Sequence, residues 1–535
     1  MKRAFINGKF YVAASQFAQA VLIEDGVFKL VGTNDDIKAA SGGCELVDLK
    51  GRTVLPGFND SHMHLYRVGV TLTSWDMFDC TSIAQCIREG REYIAKNNIP
   101  AGRLVTGSRW NQDYFSDEPR ILTRHDLDLI STEHPVITYR ACIHLASCNS
   151  LALKMAGINS ATPDMSGGEI RKDENGEPNG ILTEYALALL DVLKTEPTVE
   201  EMAATLKSAM TYANSHGITS IQPNDIRNEN AQAMLDAYDA LYKRGEATLR
   251  VNHQCCFTDI SGLKGFIAAG RRMGEGDDML KIGPIKMFID GSLGAHTAAL
   301  RSPYEDDPGV TGIYCMTAAE LDEMVQTAHN AGFGCVIHAI GDGGIDRVLS
   351  SYEKVVDGGQ NLLRHAIIHC QITDAPLLER LRKSDVLAHV QPIFLNYDIG
   401  IAEKRVGKQL AQTSYAFNTM NKMGIHVSYG TDAPIEDLST MNNLHCAINR
   451  QDLDGNPPGG FYPGECVPLA DAIDNYTIKS AYASFDEKRK GRIAPGFLAD
   501  MCVLNTDIFA ADPAEIRSIK IDMTVLGGET VWKDN

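Results

Sequence analysis

Two histidines one residue apart, His62 and His64, are the first residues whose types and spacing could do chemistry. They follow the segment LPGFNDS. In a strand, residues i and i+2 share one face, so both imidazoles can reach one point. Imidazole nitrogens bind zinc and similar divalent ions. Histidines often occur at this spacing by chance, so the pair predicts a metal site only if it ends a strand that belongs to a larger site.

Four more polar side chains end or follow short apolar runs. They are Lys286 after IGPI, His338 after GFGCVI, His369 after AII, and Asp432 after VSYGT. Each has an ordinary explanation by itself, as a packed histidine, a lysine that reaches solvent, or an aspartate that opens a turn. Their repeated position at strand ends predicts that they share one site with the histidine pair.

The middle of the chain alternates short apolar runs with helical stretches, a pattern typical of βαβ units around a parallel sheet. The candidate strands are RTVLPGF, ITSIQPN, LRVNHQC, IGPIKMFID, GFGCVIHAI, HAIIHC, VLAHVQP and IHVSYGTD. Eight strands can close an α/β barrel of the (β/α)8 TIM type, whose active site lies at the C-terminal ends of its strands. The first two candidate strands are too far apart for one crossover helix, which predicts an inserted subdomain within about 70–200.

The sequence predicts β-structure at both termini. The segments AFINGKFYVA and AVLIEDGVFKLVG alternate around Asn-Gly and Asp-Gly, which predicts two hairpins. The C-terminal runs ADMCVLN and MTVLGGETVWK are similar. We therefore expect one small β-sandwich-like domain built from residues 1–55 and 490–535, and a barrel domain over 56–489. Two unrelated edge extensions are the alternative.

Composition narrows the class of protein. The 535 residues are 44% hydrophobic and 22% charged, which is typical of a globular protein with a large core. The net charge of -19 argues against nucleic acid as a partner. Thirteen cysteines without CxxC spacing favour reduced thiols and a cytoplasmic location. The N-terminal segment does not predict a signal peptide, and the sequence has no apolar run of about 18 residues, so we expect no membrane partner.

Taken together, these motifs resemble the amidohydrolase superfamily, in particular the branch of N-substituted formamide deformylases (amidohydrolase family 3). The resemblance covers nearly the whole chain and rests on VLPGFNDSHMHL, PVITYRACIHLASCNSLALKMAGI, GILTE, IKMFIDGSLGAHTAAL, VIHAIGDGGIDRVL, HAIIHCQ, YGTDAP and GRIAPGFLADMCVL. It implies that the metal ligands are His62, His64, Lys286, His338, His369 and Asp432. It further implies that Lys286 can be carboxylated and bridge two metal ions.

The resemblance implies an enzyme of the EC 3.5 class. We expect hydrolysis of a non-peptide C–N bond (amide, formamide or N-acyl) in a small molecule, by metal-activated hydroxide with Asp432 as proton shuttle and catalytic residue. The expected cofactor is one or two divalent ions, with zinc favoured. A mononuclear deaminase of a cyclic or amidine substrate is the alternative, and a non-catalytic barrel scaffold ranks lower. Relatives are often dimers, so a homodimer is a further expectation.

Five residues are substrate-binding candidates: Trp110, Arg140, His144, Glu184 and Asp290. His144 and Arg140 lie in a segment that resembles a substrate-contacting part of the family. Relatives often have Gly-His where this chain has Ile143-His144, and Glu-His where it has Ile368-His369. Plain structural explanations also exist. Trp110 can be a packed indole, and His144 an ordinary polar residue of the insertion. Glu184 can be a helix-start carboxylate, and Asp290 a turn cap before Gly291. Asp290 can also orient the metal ligands.

Overall fold

The computed structural model describes residues 2–140, 145–164, 168–194, 196–356 and 358–534. The chain divides into two compact units. The first unit joins Met1–Gly69 to Val199–Asn535, and the second is Val70–Thr198. The second unit falls in the part of the chain where an insertion is predicted, and the predicted domain boundaries themselves stay predictions.

An eight-stranded, all-parallel sheet forms the centre of the first unit, in sequential strand order. Numbered 1 to 8 as barrel strands, they are Phe58–Met63, Ile218–Pro223, Arg250–Cys256, Leu280–Phe288, Cys335–Ala339, Ala366–His369, Leu387–Val390 and Val427–Tyr429. Helices lie between the strands, so the fold is the expected (β/α)8 TIM barrel. Within this unit the helices are Asn34–Ser41, Val199–Ser215, Ala231–Lys243, Ile260–Ala268, Ala318–Asn330, Asp342–Tyr352, Ala375–Lys383, Leu395–Asp398, Ala402–Ala411, Phe417–Met423, Thr440–Asn449, Leu469–Asn475 and Ile478–Ala483. The helix Leu65–Thr73 follows barrel strand 1 and runs into the second unit.

Successive side chains along the barrel strands point alternately into the barrel and toward the outer helices. On barrel strand 3, Gln254 points inward and contacts His62, whereas the preceding His253 packs edge-on against Tyr238 of an outer helix at 4.4 Å. The same alternation places the Lys286 side chain inside while Ile285 and Met287 join the apolar core. Successive side chains of a strand point to opposite faces, so polar groups can line the interior without disrupting the apolar shell.

The predicted first barrel strand, RTVLPGF, is wrong in its bounds. The chain forms two strands here: Thr53–Pro56 in a terminal sheet, and Phe58–Met63 as barrel strand 1. Gly57 makes the break, since a Cβ there would lie 2.1 Å from Thr219 Oγ1. Its backbone N–H donates to the Asp500 carbonyl at 3.0 Å. The chain therefore passes from one sheet to the other at Pro56-Gly57. Proline has no N–H to donate to a sheet, and only glycine fits beside Thr219.

Two terminal sheets share one apolar core. The four-stranded sheet has the order Val27–Gly32, Ala20–Glu24, Lys2–Ile6, Glu45–Asp48. The six-stranded sheet has the order Glu529–Lys533, Ile521–Leu526, Met501–Leu504, Thr53–Pro56, Lys9–Ala13, Gln16–Ala18. Their common core takes Phe5 and Phe28 from the start of the chain and Met501 and Val525 from its end. The two termini therefore build one sheet assembly.

The hairpin predicted at Asn7-Gly8 is also wrong. Lys2–Ile6 pairs with Ala20–Glu24 and Glu45–Asp48, whereas Lys9–Ala13 belongs to the other sheet. Phe5 and Phe10, on the two sides of this turn, are both buried in the core between the sheets. Burial of both rings outweighs local pairing. The second predicted hairpin, at Asp25-Gly26, forms as expected.

The second unit contains a six-stranded mixed sheet. Its strands, in spatial order, are Gly168–Lys172, Pro178–Glu184, Leu145–Cys148, Val136–Arg140, Val105–Trp110 and Trp75–Asp76. Its helices are Ile83–Lys96, Arg124–Asp128 and Ser150–Met155, with 3-10 turns at Gln112–Tyr114 and Tyr185–Leu193. Across the described parts of the whole chain, no helix is both long enough and apolar enough to cross a membrane.

Candidate metal centre

His62, His64 and Asp432 converge at the C-terminal end of the barrel. The Asp432 Oδ1 atom lies 3.3 Å from His62 Nε2 and 3.0 Å from His64 Nε2. All three side chains are buried, and one donor atom of each lies within 4.8 Å of the others. Two imidazole nitrogens and a carboxylate oxygen aimed at one point are a ligand set suited to a divalent ion.

The backbone holds these three groups together where the barrel closes. The Asp432 N–H donates to the His62 carbonyl at 2.8 Å. Asp60 of barrel strand 1 accepts from the Thr431 hydroxyl at 2.7 Å and from the Thr431 N–H. Gly430 permits this close approach, because a Cβ there would lie 2.6 Å from the His62 nitrogen. Strand 8 is thereby held against strand 1.

His338 and His369 continue the cluster on the next side of the barrel. The His369 ring lies 5.8 Å from the His62 ring and 4.5 Å from the His338 ring, between centroids. His369 has a φ of +74° and Asp432 has a φ of +57°. Left-handed backbone is uncommon outside glycine and costs of order 1–3 kcal/mol, so the surrounding structure must impose it. Both residues therefore hold a strained backbone at the candidate centre.

The Nδ1 atoms of three histidines face buried acceptors. His62 Nδ1 lies 2.6 Å from Gln254 Oε1, and His369 Nδ1 lies 2.7 Å from Gln391 Oε1. The amide nitrogens of the two glutamines donate to the carbonyls of Ser61 and His389, so their oxygens must face the rings. Hydrogen on Nδ1 leaves the lone pair on Nε2, which is the form that binds a metal.

Asp290 fixes the third ring. Its Oδ1 atom lies 3.2 Å from His338 Nδ1, and Oδ2 accepts from the N–H groups of Ala299 and Gly341 at 3.0 and 2.8 Å. The described contacts of this carboxylate are therefore with a candidate ligand and with the loops that follow barrel strands 4 and 5. Direct binding of substrate by Asp290 stays a prediction.

Lys286 lies inside the barrel with its ammonium end unpaired. Its side chain is fully buried, and Nζ has no hydrogen-bond partner among the described residues. Nζ lies 4.4 Å from the centroid of the Phe288 ring. Burial lowers the pKa of Lys286 to about 7, with Asp432 acting in the opposite direction. A large fraction of the amine is therefore uncharged at neutral pH.

The electrostatics leave His62, His369 and Asp432 in their metal-binding forms. Burial, with the neighbouring Lys286, lowers the pKa of His62 to about 4, and burial holds the pKa of His369 well below its usual value. Burial acts to raise the pKa of Asp432, but the contacts with His62 and His64 outweigh it and lower that pKa. Neutral imidazoles at His62 and His369 and an ionised carboxylate at Asp432 therefore coexist at neutral pH.

The other predicted substrate-binding residues belong to the second unit. Trp110 is buried and stacks on Phe115 at 6.2 Å, so the indole packs in that unit's core. Arg140 donates to the side chains of Gln112 and Asn111 at 2.8 and 3.0 Å. Glu184 ends a strand with a φ of +49°, and its side chain is exposed. His144 lies outside the described residues. Substrate binding by these four stays a prediction.

Gln254 and Gln391 were not among the sequence-based candidates. Their signal is present in the strands LRVNHQC and VLAHVQP, where Gln391 ends an apolar run and Gln254 shares one strand face with Asn252. A polar residue on the inward face of a barrel strand indicates an interior partner. Which ring each would meet depends on the stagger between strands, and the sequence does not give that stagger.

The sequence profile of the amidohydrolase family matches residues 45–532, so the chain belongs to that family. The chain is 32% identical over 550 aligned residues to "Putative amidohydrolase YtcJ" of Bacillus subtilis (strain 168), with all of both chains covered. It is 28% identical to "N-substituted formamide deformylase" of Arthrobacter pascens, covering 96% of this chain and 95% of that protein.

A solved structure extends the likeness to three dimensions. An "uncharacterized metal-dependent hydrolase" from Pyrococcus furiosus superposes with a TM-score of 0.78 at 28% identity, covering 96% of this chain and 100% of that one. The protein is thus a hydrolase of the amidohydrolase family, as the sequence motifs predicted. Its family implies a small-molecule substrate, and the His62, His64 and Asp432 group supports a divalent metal ion.

Proposed function

We propose that this protein hydrolyses a non-peptide C–N bond, in an amide, formamide or N-acyl compound, with zinc as its metal and Asp432 as proton carrier. The convergence of His62, His64 and Asp432 on one point carries the proposal. The relative named as an N-substituted formamide deformylase supports this choice of bond. Deamination has less support, because neither of the two relatives named above is described as a deaminase.

The donor set fits a divalent ion for a reason internal to the structure. A neutral His62 has one N–H, yet Gln254 Oε1 faces Nδ1 at 2.6 Å and Asp432 Oδ1 faces Nε2 at 3.3 Å. One of these two acceptor oxygens therefore receives no hydrogen bond from the His62 ring. A divalent cation ligated by His62 and Asp432 would remove the conflict, because both side chains could then donate electron pairs to it.

A divalent ion bound here supplies a Lewis acid for the scissile carbonyl and lowers the pKa of a water molecule. The protein supplies orientation and proton transfer. Asp432 is ionised, so its carboxylate can accept a proton and return it to the leaving amine. Gln254, Gln391 and Asp290 hold the imidazoles in one tautomer, so no ring has to reorient during turnover.

A second ion requires a further anionic ligand, and Lys286 is suited to provide it. Its buried amine, with a pKa of about 7 and no described partner, can add CO2 to give a carbamate with two ligand oxygens. His338 and His369 would complete that second position. We therefore propose two zinc ions when Lys286 is carboxylated, and one when it is not.

The test is elemental analysis together with amine release from N-formyl and N-acyl amines. We expect bound zinc in the wild-type chain, loss of zinc and of turnover in His62→Ala, and little change in His296→Ala. His296 is a matched control, since it contacts Asp306 outside the cluster. Wild-type protein that binds no zinc after incubation with zinc and bicarbonate would contradict the metal site. Bound zinc without release of any amine would contradict the choice of bond.

A further inference from the structure

A small pocket opens at the C-terminal end of the barrel beside the candidate metal centre. Its volume is about 150 Å³, and residues that follow barrel strands 4 to 8 line it. Apolar side chains form much of its wall: Leu293, Ile340, Phe394 and Ile435. A closed apolar cavity of roughly this size accommodates one benzene ring. The pocket is therefore sized for a single ring or a short alkyl chain.

The pocket adjoins the metal ligands through packed side chains. The Phe394 ring stacks on the His369 ring with centroids 5.5 Å apart and planes 20° apart. Ile340 follows His338 by two residues, and Ile435 follows Asp432 by three. A molecule whose reacting bond lies at the metal centre would place its neighbouring substituent in this pocket.

Two carboxyl groups line the same pocket, and none of its described lining residues is basic. Asp398 is only 7% exposed. The Tyr415 hydroxyl and the Gln371 amide both donate to its Oδ2 atom, at 2.8 and 3.1 Å, and no described residue donates to Oδ1. Glu436 is half-buried and forms no hydrogen bond or ion pair with any described residue.

Burial of these two carboxyl groups disfavours their charged forms. Burial raises the pKa of Asp398 to about 6. Burial, together with repulsion from Asp398, raises the pKa of Glu436 to about 7. Two acids at the end of an apolar pocket are stabilised most by a ligand that brings a positive charge.

We propose that this pocket binds the basic nitrogen of a substrate substituent whose body is a single ring or a short alkyl chain, with Asp398 and Glu436 facing the cation. This inference rests on the proposed function only for the position of the reacting bond. It names the substrate class more narrowly: a small N-acyl or N-formyl amine that also carries a protonated amine or amidine.

The experiment measures binding rather than turnover, with the full zinc-loaded chain. Benzylammonium is compared with benzyl alcohol, a neutral probe of similar shape, by isothermal titration calorimetry at pH 8. We expect benzylammonium to bind at least ~10-fold more tightly, as is typical of hydrogen bonds to charged groups. Glu436→Gln and Asp398→Asn should reduce this preference to about 3-fold or less. Asp437→Asn is the matched control, because it removes one charge at an exposed neighbour that contacts Asn442.

Three results would overturn the inference: equal affinity for the two probes, no binding of either, or the same loss in Asp437→Asn as in Glu436→Gln. Because Glu436 is half-buried, Glu436→Gln tests the pocket independently of the buried Asp398. Failure of the proposed function remains separable. Absence of amine release together with a Glu436-dependent preference for benzylammonium rejects the reaction and keeps the pocket. Release of amine from neutral N-formyl amines, without a preference for benzylammonium, supports the reaction and rejects the pocket.

Discussion

Replacing Gln254 by Leu should weaken zinc binding without touching a metal ligand. Gln254 is fully buried and contacts His62 Nδ1 at 2.6 Å. In the metal-free variant, His62 can move its proton to Nε2 and donate to Asp432. Zinc binding at Nε2 forces the proton back to Nδ1, where leucine offers no acceptor. The penalty therefore falls on the zinc-bound state.

The magnitude follows from the cost of one buried donor without a partner, about 1–3 kcal/mol. At 1.4 kcal/mol for each factor of ten, this weakens zinc binding by roughly 5- to 150-fold. Loss of the outer partner of a metal-binding histidine typically costs about 10–100-fold, in agreement. Gln254→Glu keeps an acceptor and should retain affinity within a few fold.

The assay is competition for zinc with a chromophoric chelator at pH 7. Gln222→Leu is the matched control, since Gln222 is equally buried one barrel strand away but donates to the Ser480 carbonyl. The reasoning is refuted if Gln254→Leu binds zinc as tightly as wild type. It is refuted as well if Gln222→Leu loses as much, because the effect would then come from general disturbance of the barrel interior.

Three further outcomes are expected. Asp432→Asn should keep part of the zinc but lose ~10²–10⁴ in turnover from the missing proton transfer, and a negligible loss would remove Asp432 from the mechanism. Lys286→Met should lower the zinc content from about two equivalents to about one, since no carbamate can form; unchanged content by elemental analysis would contradict the lysine's role. Asp398→Asn should raise the melting temperature at pH 8. The folded pKa of Asp398, about 6, lies above its usual 3.8, so its stabilisation is full below pH 4 and is lost as pH rises through 6. At pH 8 the charge costs ~3 kcal/mol, and calorimetry should find a smaller gain at pH 5.

Much of the barrel could be predicted because its strands are apolar runs bounded by polar or turn residues. Barrel strands 2 to 8 lie within the predicted runs or within a few residues of them. The errors lie at Pro56-Gly57 and Asn7-Gly8. In both places contacts distant in sequence decide the pairing: the approach of Thr219 to Gly57, and the shared burial of Phe5 and Phe10.

The candidate site, like the barrel, could be predicted from the sequence only in part. Histidine and aspartate at strand ends could be recognised singly, and parallel strands bring such ends to one face of a barrel. The orienting contacts could not be recognised, because Gln254 meets His62 and Gln391 meets His369 only through the stagger between strands. Pocket-lining residues such as Glu436 lie on loops, where sequence pattern gives no orientation.

The candidate metal centre lies where barrel strands 1 and 8 meet. Strands 1 and 8 are the two ends of the continuous hydrogen-bonded sheet order. The described contacts that join them here include the Asp432 N–H to the His62 carbonyl and the Asp60 carboxylate to Thr431. His62 and His64 come from one side of this seam and Asp432 from the other, so an ion that binds all three favours the closed barrel. Binding to the folded state alone stabilises it by about 2.7 kcal/mol at a hundredfold excess over Kd. The ligands that would perform the chemistry therefore also complete the barrel, which explains why buried charge is tolerated at this position.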